Sequence, residues 1–84
     1  MNINAINNTG FKGYLQVNNK TKINTDTIQE IRKNPWNEKV EIWYQDEKYR
    51  LNYPKVQILN NADYQNVLNA YTAASQNPNV VIDI

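Results

Sequence analysis

Val40-Glu41-Ile42-Trp43-Tyr44-Gln45-Asp46-Glu47-Lys48-Tyr49-Arg50-Leu51-Asn52-Tyr53 is the stretch whose reading decides the fold. Apolar and polar residues alternate on both sides of Asp46-Glu47, as in two half-buried strands joined by a tight turn. A two-residue turn at that point pairs Gln45 with Lys48 and Tyr44 with Tyr49. It also sets Trp43 opposite Arg50, Ile42 opposite Leu51 and Val40 opposite Tyr53. Val40, Ile42, Tyr44, Tyr49, Leu51 and Tyr53 then share the core face. Glu41, Trp43, Gln45, Lys48, Arg50 and Asn52 share the other. A slip of one residue would mix the two sets.

Upstream of this hairpin, residues 1–10 are mostly Asn, Ile and Thr and read as a loose lead-in. Residues 11–84 read as one domain. Phe11, Gly13, Leu15 and Val17 form one face of a first strand, with Lys12, Tyr14 and Gln16 on the other. Gly13 weakens such a strand and marks a bulge or a close packing contact. Asn18-Asn19-Lys20 makes a turn, because Asn tolerates left-handed backbone. A three-residue loop there pairs Leu15 with Ile23 in a second strand through Thr21 and Asn24. Residues 25–34 read two ways. Thr27-Ile28-Gln29-Glu30 has the form of a capping box, which favours a short helix. The Ile and Thr content favours a strand entered through a turn at Thr25-Asp26, and the balance leans to a strand or irregular turn.

Downstream, Pro54 ends the hairpin at a sheet edge, since it lacks an N–H. Val56 and Ile58 suggest a further short strand. Asn60 or Asn61 then caps a helix, with Asp63 in its first turn. Tyr64, Val67, Leu68, Tyr71 and Ala74 make its buried stripe, and Asn77-Pro78 stops it. Val80, Ile82 and Ile84 alternate in a last strand, and strand, helix and strand in succession predict a right-handed crossover unit. The fold class is α+β. One small, mostly antiparallel sheet of four to six strands carries a single C-terminal helix, in the order β-β-(short strand or helical turn)-β-β-α-β.

The block Ile23-Asn24-Thr25-Asp26-Thr27-Ile28-Gln29-Glu30-Ile31, followed by a hairpin and a helix, resembles the small flagellar FlbD-type proteins of bacteria. Less than half of the chain takes part in the resemblance. The Gly usual in such hairpin turns is replaced here by Asp46-Glu47. The resemblance implies a fold and transfers no catalytic residues.

Composition excludes more than it assigns. The 84 residues include no Cys and no His, which removes disulfides, Cys/His metal sites and His or Cys catalysis together. Ser75 is the only serine and has no evident base beside it. Gly10 and Gly13 are the only glycines, so no phosphate-cradling loop can form. The expectation is a protein that is not an enzyme and has no cofactor or metal. A net charge of +1 announces neither a nucleic-acid nor a membrane partner. No targeting segment or transmembrane run is evident, which makes the cytoplasm the default. The 16 Asn, with seven Lys and six Tyr, fit the codon bias of an AT-rich bacterial or phage genome better than an aggregating tract.

The outward hairpin face holds the candidate interaction surface: Trp43 against Arg50, with Lys48 beside them. Lys12 and Tyr14 extend it if the first strand is a neighbour, and Trp36 is a second aromatic candidate. Aromatic and Arg residues anchor protein–protein contacts, including self-association as a homodimer. They also serve single-stranded nucleic acid, stacking bases and meeting phosphates. The competing reading makes Trp43 a core residue covered by the helix or by residues 25–36. The functional expectation is a small protein-interaction or regulatory module. A weak single-stranded nucleic-acid binder, or a phage or mobile-element protein that blocks a host factor, are the alternatives.

Overall fold

Val40, Ile42 and Tyr44 are buried, and they lie on one face of a strand that runs through the middle of a sheet. The computed structural model describes residues 13–45 and 54–84. Six strands, a 3-10 turn and one helix make up those residues: β1 (Tyr14–Val17), β2 (Thr21–Asn24), the turn (Thr25–Thr27), β3 (Ile28–Lys33), β4 (Val40–Tyr44), β5 (Lys55–Leu59), α1 (Tyr64–Gln76) and β6 (Val81–Asp83). The class is α+β with a C-terminal helix, as the sequence implies. The expected single sheet is instead two sheets of three strands, ordered β2-β1-β6 and β3-β4-β5.

The first hairpin follows its residues. Asn18 and Asn19 both take positive φ, 54° and 58°, and Leu15 lies opposite Ile23. Both of those side chains are fully buried. Beyond β2 the chain leaves this sheet through the 3-10 turn. The Asn24 side chain accepts from the Asp26 N–H at 2.8 Å, and the Thr27 hydroxyl donates to the Asn24 carbonyl at 2.7 Å. Buried Thr25 donates its hydroxyl to the Gly13 carbonyl at 3.1 Å. These local bonds turn the backbone without starting an α-helix, and β-branched Ile28 then enters β3. The strand reading of this segment is therefore the observed one.

The second sheet corrects the hairpin register. β4 pairs with β3 on one side and with β5 on the other. Val40 lies opposite Leu59, not Tyr53, and Ile42 lies opposite Gln57, not Leu51. Residues 46–53, which include the expected turn and second strand, lie outside the described residues. The displacement from Tyr53 to Leu59 is an even number of residues, so odd-numbered residues of the partner strand still share the core face. The inward set Val40, Ile42 and Tyr44 follows from the alternation of β4 itself, whichever strand pairs with it.

The helix also starts later than expected. Asp63 is the N-cap, and its carboxylate accepts from the Asn66 N–H at 3.1 Å. A carboxylate at that position satisfies an orphan donor and meets the positive end of the dipole, which no asparagine does as well. Val67 and Ala74 are buried, with Tyr64, Ala70 and Tyr71 packed around the core. The strand after the helix does not return beside β5. It joins the first sheet, where β6 pairs in parallel with β1, Leu15 opposite Ile82. The predicted crossover between β5 and the last strand is thus replaced by a link between the sheets. Leu15, Val17 and Ile23 from one sheet, Val40, Ile42, Tyr44 and Leu59 from the other, and Val67 and Ala74 from α1 form one core.

Candidate interaction surface

With Val40, Ile42 and Tyr44 turned to the core, strand alternation sends Glu41 and Trp43 to the opposite face of the second sheet. The pairings define the rest of that face. Trp43 lies opposite Glu30 on β3 and Val56 on β5; Glu41 lies opposite Arg32 and Ile58. Val56 is 37% exposed and Ile58 46% exposed, while Trp43 is partly exposed.

Glu41 is the unusual member. Only 7% of it is exposed, although it stands on the outward side. Three donors surround its carboxylate. Asn34 Nδ2 donates to Oε2 at 3.0 Å, while Arg32 Nε and Trp43 Nε1 both donate to Oε1, at 2.9 and 3.0 Å. These bonds, the one from Asn34 first, hold its pKa down to about 2 against the opposing effect of burial. Glu41 therefore stays ionised, and it fixes its neighbours. The indole is pinned by its polar edge, and the Arg32 guanidinium lies over the ring at 5.4 Å from the centroid. Asn34 extends the network into the β3–β4 turn, where its Oδ1 accepts from the N–H groups of Trp36 and Asn37 at 2.8 and 3.3 Å. Trp36 on that turn is 89% exposed.

The residues expected at the site are partly brought together. Trp43 does stand on an outward sheet face with an arginine over its ring. The arginine is Arg32, and the residue across from Trp43 on the second neighbour is Val56, not Arg50. Lys12, Lys48 and Arg50 lie outside the described residues. Tyr14 does not extend the surface: it belongs to the first sheet, where Lys22 approaches its ring at 6.0 Å. Trp43 is neither a free platform nor a core residue, since β3 covers one side of it through Arg32. Glu41, Arg32, Asn34, Val56 and Ile58 were not singled out from sequence. The turn residues Asn34-Pro35-Trp36-Asn37 between two strand-like runs were the signal for a β3–β4 hairpin. That hairpin alone would have placed Arg32 beside Glu41.

Among the described residues no group of three or more carboxylates is placed to hold a metal ion. Clefts of about 290 and 320 Å³ near Ile84 are lined chiefly by Asn60, Asn61, Ala62 and Asp63 and by one face of α1. No helix among the described residues is long and apolar enough to cross a membrane. Comparison with protein-family models, with curated proteins and with solved structures returned no match.

Proposed function

We propose that the chain is a small, non-enzymatic protein-interaction module of the cytoplasm, and that it binds through the outward face of the second sheet. The observation that carries this reading is the apolar row Trp43, Val56 and Ile58, laid beside a carboxylate that holds the aromatic ring in place. A rigid aromatic next to exposed aliphatic side chains makes contact area at low entropic cost. Trp36 stands on a turn tied to the same network, which adds a second anchor. Catalysis is not favoured by the same geometry. Glu41 has its carboxyl held far below the pH at which a general acid or base exchanges protons.

A nucleic-acid role is less well supported. Among the described residues this face carries Glu30 and Glu41 against Arg32, and Arg32 is already engaged by Glu41. One side of the indole is occupied by that guanidinium, where a base would stack. The test uses the wild-type chain and Ile58→Lys as baits in an extract of the native host, beside a titration with single-stranded oligonucleotides at two salt concentrations. The expected result is protein retained by wild type and lost with Ile58→Lys, with no oligonucleotide binding. Equal retention by both baits, or salt-sensitive oligonucleotide binding weakened by Trp43→Ala, would overturn it.

A further inference from the structure

We infer that the face binds a second copy of this chain through β5. Two β5 strands would pair antiparallel about a twofold axis at Gln57, joining two second sheets into one continuous sheet. The inference rests on the interaction reading above and names its partner.

β5 has a partner strand on one side only among the described residues. Among the described residues, Val56, Gln57, Ile58 and Leu59 have no backbone hydrogen-bond partner beyond the β4 ladder. Half of the N–H and C=O groups of such an edge point away from its neighbour and remain to be satisfied. The other edges are blunted. On β3, the Ile31 carbonyl accepts from the Tyr64 hydroxyl at 3.3 Å, and the strand carries Glu30, Arg32 and Lys33. β2 has Lys22 in its middle, and β6 spans three residues ending in Asp83. Of the described edges, only β5 offers an uncharged run, Val56-Gln57-Ile58-Leu59, with its single charge at its first residue, Lys55.

The strand also complements itself. An axis at Gln57 sets Val56 opposite Ile58 of the second copy, and Ile58 opposite its Val56. Both exposed side chains thereby cover one another twice, beside Trp43. Lys55 falls opposite Leu59 of the second copy. The two Lys55 residues stand four ladder positions apart, roughly 13 Å, beyond the screening length of about 8 Å at physiological salt. Neither a basic nor an acidic partner is selected by this uncharged run, whereas an identical strand fits it without like-charge contact. The exposed Pro54 precedes Lys55 and so leaves the ladder uninterrupted. A ladder this short buries less than a standard interface, so the dimer forms only as concentration rises.

The test is sedimentation equilibrium of the full chain from the micromolar to the millimolar range, for wild type, Ile58→Lys and Gln57→Cys. Wild type is expected to move from monomer to dimer across that range. Ile58→Lys is expected to stay monomeric with an unchanged circular-dichroism spectrum, because it buries two lysines at the joint. Gln57→Cys gives a cysteine-free chain one thiol, and oxidation should link two copies. An Asn69→Cys control on α1 should not link. A wild type that stays monomeric throughout overturns the pairing, as does a folded Ile58→Lys that still dimerises. A monomeric wild type whose Ile58→Lys bait still loses a host protein would sink self-pairing alone. The interaction reading would stand.

Discussion

Glu41 shows how much one side chain can organise on a sheet face. Its carboxylate takes three donors from β3, from the β3–β4 turn and from its own strand. Its pKa is depressed, so the stabilisation is fully present above the ordinary carboxylate range and is lost as pH falls from about 4.5 toward about 2. With no His and no Cys in the chain, stability should be flat across neutrality. In Glu41→Gln the charge is gone, and an amide N–H₂ replaces one accepting oxygen. The expected outcome in urea melts is that wild type exceeds the variant most above about pH 5 and converges with it toward pH 2. A constant difference across that range would deny the carboxylate its role. The alternation of Glu41 and Trp43 was legible in the sequence. The burial of Glu41 was not, because it depends on Arg32 and Asn34 arriving from another strand and its turn.

The elements that sequence reading placed well are those whose signals are local. The Asn18-Asn19-Lys20 turn, the 13-residue helix with its Asn77-Pro78 stop, and the short strand at Val56 and Ile58 are of this kind. Pairings between elements were less legible, because an alternating strand fits several partners of equal parity. Gly13 is an exception, since it signalled a close contact. A Cβ at this position would lie 2.6 Å from Val80 Cγ1, 2.7 Å from the Ala74 carbonyl oxygen and 2.8 Å from that of Asn77. Two of those atoms belong to the backbone at the end of α1, where the Gly13 N–H also donates to the Ala74 carbonyl at 2.8 Å. Gly13→Ala should therefore push the helix end off β1 and cost about 1–3 kcal/mol, as overpacking does. Helix propensity and strand propensity would both predict a gain from the same change. A thermal melt in which the variant matches or exceeds wild type would show that the helix end gives way freely.

At the scale of the molecule, the described residues of the two sheets share one core. Leu15 and Ile23 from the first sheet, and Val40 and Ile42 from the second, are all almost wholly buried in a single cluster with Val67 of α1. The linkage is topological as well: the chain passes from the first sheet to the second at Thr25 and returns to the first through α1 and β6. A core of this size leaves little to divide, so the sheets should unfold together. Ile42→Ala opens a cavity in the second sheet and should cost about 2–5 kcal/mol. The loss should appear equally in the first sheet and the helix packed on it. The measurement pairs two probes in a Trp36→Phe background, which removes the exposed indole. Trp43 fluorescence follows the second sheet, and far-ultraviolet circular dichroism follows α1. Denaturation midpoints by the two probes should coincide in the parent and shift together in Ile42→Ala. If the Trp43 signal shifted alone while the helical signal kept its midpoint, the two sheets would be separate folding units, and the shared core would be contact without cooperation.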